Sequence, residues 1–394
     1  MAPPRILARD GHLARPQPSG AALGFGQRTV ENLVITPAFW QDRRVLVTGH
    51  TGFKGGWLAL WLQTMGARVI GLALPPATQP NLFELTRLAG QMVSILADIR
   101  DRDALAAAIA GHRPEVVFHL AAQALVLPSY SHPAETYASN VMGTVNLLDA
   151  IRQTGGVRSV VIVSSDKCYQ PRATACNESD PLGGADPYSS SKACTELVAA
   201  AYRASFFSSI DRGDLGTAVA TARAGNAIGG GDWAAGRLIP DAVRAFADRR
   251  PLLVRHPEAI RPWQHVLEPL AGYLILGERL YQHGARFAEA WNFGPAGEPA
   301  HSVADLLATM AELWGDGATW RRDDTAHPHE APCLRLAVTK AAQALQWHPR
   351  WPLATALQMT VDWYRAHGDG KDMATVSRQQ ISRYCESAQD AVRP

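Results

Sequence analysis

From Arg44 onward, short β-branched runs alternate with longer stretches whose apolar residues recur at helical spacing, the pattern of parallel βαβ units. Runs starting at Val45, Arg68, Met92, Glu115, Ser159 and Thr217 predict six strands. Between them, Trp57 to Met65, Asp103 to Ala110, Asn140 to Arg152 and Lys192 to Phe207 predict helices. The alternation predicts an α/β fold, a Rossmann-type doubly wound parallel sheet. After Gly225 the chain is richer in Pro, Trp and Gly, and helices are predicted over Leu238 to Ala247, Leu267 to Tyr281, Val303 to Trp314 and Leu353 to His367. These make a smaller C-terminal α/β lobe on the substrate side, with segments near His265 returning to the sheet. The expected layout is a flexible N-terminal extension over 1–38, the Rossmann domain over 39–224, the lobe over 225–370 and a C-terminal tail over 371–394.

Composition narrows the picture. The chain has 394 residues, enough for one or two domains, and 47% apolar against 19% charged residues favours a packed core. With 38 basic and 36 acidic side chains the net charge is +2, which implies neither nucleic acid nor an anionic membrane as partner. No apolar run approaches the roughly 18 residues that span a bilayer, so a soluble protein is expected. The first 38 residues hold Arg, Pro and Gly without an apolar block of signal-peptide type. Cys168, Cys176, Cys194, Cys333 and Cys385 form no CxxC pair and no metal-like cluster. Their odd number argues against a disulfide framework, so no metal site is expected and a reducing cytoplasm fits.

Candidate chemistry sits where strands end. In VTGHTGFKGG, Gly49, Gly52 and Gly55 follow a strand and open a helix. Missing Cβ atoms allow a sharp turn and close approach to a pyrophosphate, whose charge the helix N-terminus favours; an ordinary tight βα turn is the plainer reading. The second strand ends GLALPPATQ, with no carboxylate for the adenine ribose, so the cofactor's ribose 2′ position is not specified by this route. Asp98 either accepts from an adenine amino group or caps the helix starting near Asp101. In DPYSSSKACTE, Tyr188 and Lys192 share a helix face at i, i+4, where an ammonium can stabilise a phenolate; alone, such a pair is usually a solvated face. VSSDKCY places Ser164, Ser165, Asp166 and Lys167 at the mouth of the fifth strand, where open sheets bind ligands. An acid beside a second proton-transfer group there suits elimination. Asn226, Arg237 and Arg261 are candidates for a nucleotide diphosphate.

Taken in order, GHTGFKGGWL, SSDKCY, DPYSSSKACTELV, RAGNAIGGGDW, RLIPD and IRPWQHVLEPLAGYL resemble the extended short-chain dehydrogenase/reductase superfamily and, within it, the CDP-glucose 4,6-dehydratases. The similarity runs from about Trp40 to about His367. The resemblance implies an NAD-dependent lyase that converts CDP-D-glucose to CDP-4-dehydro-6-deoxy-D-glucose on the way to deoxysugars of surface polysaccharide such as lipopolysaccharide O antigen, and a homodimer paired through helices. It implies NAD contacts from Gly49, Thr51, Gly52, Phe53, Lys54, Gly55, Asp98, Ile99, Ala121, Ala122, Gln123, Asn140, Ser164, Tyr188 and Lys192. Tyr188 would be the base for the 4-hydroxyl, Lys192 its support, Ser165 a hydrogen-bond partner of the same oxygen and Asp166 the acid for the 6-hydroxyl. Lys167 stands where related dTDP-glucose 4,6-dehydratases carry a glutamate that removes the C5 proton; it is either the base or a group that orients Asp166 and the sugar. The family's usual arginine near Leu127 or Pro128 is missing here. An NAD(P)-dependent epimerase or reductase of the same superfamily is the alternative, and a dinucleotide-binding regulator a further one.

Overall fold

The computed structural model describes residues 35–172, 174–207, 216–296, 301–325 and 333–390. All six predicted strands are present: β1 (Arg44–Thr48), β2 (Arg68–Ala73), β3 (Val93–Leu96), β4 (Val116–His119), β5 (Ser159–Val163) and β6 (Ala218–Ala224). A seventh in the same sheet, β7 (Ala290–Phe293), comes from the stretch assigned to the lobe. Strand order is β7-β6-β5-β4-β1-β2-β3 and neighbouring strands are parallel. The order reverses between β1 and β4, which opens a crevice at their C-terminal ends.

Nine helices of ten or more residues occur among the described residues: α1 (Phe53–Thr64), α2 (Arg102–His112), α3 (Gly143–Thr154), α4 (Pro187–Ser205), α5 (Leu238–Ala247), α6 (Leu267–His283), α7 (Val303–Trp314), α8 (Leu353–Gly368) and α9 (Met373–Asp390). Both sheet faces are covered, so alternate residues of one strand enter different cores. Val45 and Val47 join Trp57 and Trp61 of α1 and Tyr273 of α6, whereas Leu46 joins Ile109 of α2 and Leu147 and Ile151 of α3.

The first 34 residues of the expected extension lie outside the described residues. Its last residues are no extension: Ile35 is buried and Pro37–Trp40 form a helical turn that puts Trp40 in the core. The expected tail likewise contains α9, whose Tyr384 is buried and hydrogen-bonded to Glu268 of α6. Outside the main sheet, Leu252–Val254 pairs in parallel with Trp320–Arg322, and Gln264–His265 pairs with Ala227–Ile228 just beyond β6. The segment after Gly225 therefore returns to the sheet through His265, α6 and β7.

Candidate active site

The strand ends open on one cleft of about 820 Å³, toward the upper end of the size range of small-molecule sites. Its floor is the glycine turn. Gly49 has φ +78°, and a Cβ there would come 2.8 Å from the Ala121 nitrogen; one on Gly55 would come 2.1 Å from the Gly49 carbonyl oxygen. The turn thus needs both glycines in order to close. Gly52 precedes α1 without a side-chain cap, which leaves first-turn N–H groups without an intrahelical partner beside the cleft. This cradle fits a pyrophosphate.

The lining around it comes from the glycine turn, the start of α1 and neighbouring strand ends. Thr51, Phe53, Lys54, Asp98, Ile99, Ala121, Ala122, Gln123 and Ser164 all line the cleft. Beyond β2 the lining is Leu74, Pro75, Ala77 and Thr78, with Thr51 Oγ1 donating to the Leu74 carbonyl at 2.8 Å. Asp98 does not cap α2. Asp101 does, accepting from the Asp103 and Ala104 nitrogens at 3.0 Å, while hydrogen bonds from Arg100 hold the Asp98 carboxyl below its usual range. Asn140, expected among the cofactor contacts, instead stands behind the wall. Its amide accepts from the Gln123 nitrogen at 2.8 Å and donates to the Gln123 carbonyl at 3.0 Å and Ser191 Oγ at 2.8 Å. The π-helical turn Ala138–Met142 places it there, so Asn140 supports Gln123 from behind the lining.

Tyr188 and Lys192 occupy the first two turns of α4. Asp186 caps that helix by accepting from the Ser189 nitrogen at 2.9 Å, and Pro187 takes a first-turn position where its missing N–H costs nothing. Both side chains are buried and line the cleft. Burial pushes the Tyr188 phenol up to about 12, partly offset by its hydrogen bond with Ser165. Burial pushes Lys192 down to about 8, with Glu196 opposing, and its Nζ donates to the Val163 carbonyl at the end of β5 at 3.1 Å. Across from them, Ser165 caps the 3₁₀ turn Asp166–Cys168. Its Oγ donates to Asp166 Oδ1 at 3.0 Å and accepts from the Lys167 nitrogen at 3.2 Å. Asp166 is buried with Oδ2 lacking any protein partner, and Lys167 lines the cleft beside it. Phenol, ammonium, hydroxyl and carboxyl thus converge.

Asn226, Arg237 and Arg261 line the same cleft. Arg237 pairs with Asp232 at 2.9 Å, a partner not singled out from the sequence although it lies in the quoted GGGDW. Leu127 and Pro128 line the wall where the arginine is missing, and the guanidinium that approaches this segment is that of Arg237, 3.5 Å from the Ala124 carbonyl. Lys54 is half-buried; burial and the Arg237 charge push it down to about 8, with Asp166 and Asp232 opposing.

A doubly wound sheet with a glycine cradle, a buried Tyr–Lys pair and a buried carboxyl in one cleft is the arrangement of a dinucleotide-dependent enzyme. The chain belongs to the NAD dependent epimerase/dehydratase family, whose model matches residues 45–287. Within it, the chain is 52% identical over 353 residues to a CDP-glucose 4,6-dehydratase of Salmonella typhimurium, covering 89% of this chain and 98% of that relative. Among solved structures it is similar to a dTDP-glucose 4,6-dehydratase of Streptomyces venezuelae with NAD bound, at 26% identity and TM-score 0.71, covering 84% of this chain and 99% of that one. A UDP-glucose 4-epimerase of Stenotrophomonas maltophila, at 24% identity and TM-score 0.73 over 83% of this chain and 99% of that one, shares the fold.

Proposed function

We propose that this chain dehydrates CDP-D-glucose to CDP-4-dehydro-6-deoxy-D-glucose with NAD held in the glycine cradle. The observation that carries the reading is the buried Asp166 Oδ2, unpartnered within the protein and adjoining the Ser165–Tyr188 pair. A carboxyl so placed has an atom left for a substrate hydroxyl. An epimerase or reductase has no elimination for it to serve.

When bound, NAD supplies hydride exchange, accepting hydride from C4 and returning it at C6. Tyr188 takes the proton of the 4-hydroxyl, with Lys192 and Ser165 stabilising the phenolate. The C4 ketone so formed acidifies C5–H. Lys167, next to Asp166, is assigned the C5 proton, which it takes as the neutral amine, and Asp166 in its protonated form gives its proton to the 6-hydroxyl so that it leaves as water. Proton return to C5 completes the product, with no net redox change. Asn226, Arg237 and Arg261 are assigned the nucleotide diphosphate, and the cofactor contacts are those lining the cleft, with Asn140 acting through Gln123. Dimerisation through α4 and its neighbours, where Tyr137, Met142 and Leu197 are exposed, belongs to the same reading, as do a cytoplasmic location and a place in deoxysugar synthesis for O antigen.

The test is incubation with CDP-glucose, UDP-glucose and dTDP-glucose, followed by product mass. Loss of one water from CDP-glucose in preference to the others supports the reading. A product of unchanged mass and altered stereochemistry would favour an epimerase, and absence of any turnover would favour a regulator.

A further inference from the structure

Behind the catalytic wall lies a buried ion pair that these steps do not use. Arg223 on β6 sends Nη2 to Glu196 Oε2 at 2.8 Å and Nη1 to the Tyr169 hydroxyl at 2.8 Å. Thr221, on the same face of β6, donates to the same Glu196 oxygen at 2.7 Å. Tyr169 in turn donates to Asn292 Oδ1 on β7 at 2.7 Å, and the Arg223 guanidinium lies 4.8 Å from the centre of its ring. The charged side chains are only 4% and 3% exposed. Desolvating such a pair can cancel its attraction, so stability alone is a weak reason for it.

Its connections supply a better one. Glu196 lies one turn beyond Lys192 and two beyond Tyr188 on α4, while Tyr169 is the third residue after Asp166. A planar guanidinium donates in fixed directions, so it sets the spacing of whatever it holds. We propose that Arg223 is a positioning residue that keeps the helix carrying Tyr188 and Lys192 in register with the turn carrying Ser165 and Asp166, through a Glu196 arm to the helix and a Tyr169 arm to the turn.

The inference rests on the dehydratase reading, in which the helix serves oxidation at C4 and the turn serves loss of water. Cutting one arm should therefore impair one step. The NAD-loaded wild type, Tyr169→Phe, Glu196→Gln and Arg223→Lys are mixed with CDP-glucose while the absorbance of reduced nicotinamide, the product mass and the thermal midpoint are followed. Tyr169→Phe is expected to accumulate reduced nicotinamide and to release product about ten-fold or more slowly, since misplacements on the order of 1 Å can cost about a hundred-fold. Glu196→Gln is expected to reduce NAD slowly without accumulating it, and Arg223→Lys to show both defects. Hydrogen exchange reads the arms without substrate: Tyr169→Phe should speed exchange over 165–170 and spare 187–196, and Glu196→Gln should do the reverse. Equal slowing of both steps by either variant, unchanged kinetics in folded variants, or exchange rising alike in both segments would overturn the proposal. Failure of the wild type to dehydrate CDP-glucose would sink the dehydratase reading, and the exchange pattern would still decide whether Arg223 holds the helix and the turn in register.

Discussion

Tyr188 shows how much of this chemistry depends on charge brought to one atom. Burial, against the hydrogen bond with Ser165, leaves its phenol up at about 12, the wrong direction for a base at neutral pH. In the proposed mechanism the Lys192 ammonium and a bound nicotinamide cation would oppose that shift by stabilising the phenolate. Tyr188→Phe should lower kcat by about 10²- to 10⁴-fold, the usual worth of a positioned proton-transfer group, while nucleotide binding measured by calorimetry stays within a few-fold of wild type. Unchanged kcat would remove Tyr188 from the reaction. Asp166→Asn should lower dehydration by a similar factor and, unlike Tyr188→Phe, let reduced nicotinamide form on substrate addition. If absorbance shows none, Asp166 is needed before elimination. A Lys167→Glu variant with full dehydratase activity would argue against a specific need for the amine.

Among the elements, α6 is tied to the C-terminal helix through one buried carboxylate. Glu268 accepts from the Trp351 nitrogen at 2.7 Å, the Arg350 nitrogen at 3.0 Å and the Tyr384 hydroxyl of α9 at 2.6 Å. Burial outweighs these bonds and pushes its carboxyl up from 4.5 to about 7. Unfolded, the group loses its proton near 4.5; folded, it keeps it until about 7, so the native state binds more protons in this window and stability falls as pH rises through it. Glu268→Gln has no such proton to lose. Urea unfolding should show wild type losing ground to Glu268→Gln by up to roughly 3 kcal/mol from about pH 5 to about pH 8. A pH-independent difference between them would refute this. The same region shows why some elements escaped the sequence. The buried stripe of α9 includes Ser377, which accepts from Trp363 Nε1, and Gln380, which donates to the Met359 carbonyl, so polar residues interrupt its apolar period. β7 is short and carries buried Asn292, whose amide donates to the Cys176 and Ala337 carbonyls. α1 begins at Phe53, four residues before its predicted start, because Gly55 and Gly56 are poor helix formers kept for close approach. Apart from the edge strand β3, which is half exposed, the strands were legible because both faces are buried and β-branched residues recur. Much of the cleft lining was legible because many of its residues follow strand ends; the place of Asn140 behind the lining and the Arg223 pair were not, since a residue set behind a wall leaves no local pattern.

At the scale of the whole molecule, the remaining question is what covers the apolar side chains the fold leaves in water. Leu197 on α4 is 59% exposed and Met142 on the π-helical turn packed against it is 51% exposed, with Tyr137 on the adjoining helix 36% exposed. Isolated exposed apolar residues are ordinary, but these lie on elements packed together beside the helix that carries Tyr188 and Lys192. A second copy of the chain docking there would bury the same helices twice about a two-fold axis, and each buried large side chain would contribute about 1.5–3 kcal/mol. It would also brace α4 on the side away from β6. Leu197→Arg would leave an unpaired charge in that interface, at a cost of about 3–5 kcal/mol, enough to raise a dimer Kd by roughly two to four orders of magnitude. Light scattering at micromolar concentration should therefore give a dimer for the wild type and a monomer for Leu197→Arg, with the thermal midpoint of the variant dependent on protein concentration no longer. Identical masses for the two proteins would place the interface elsewhere.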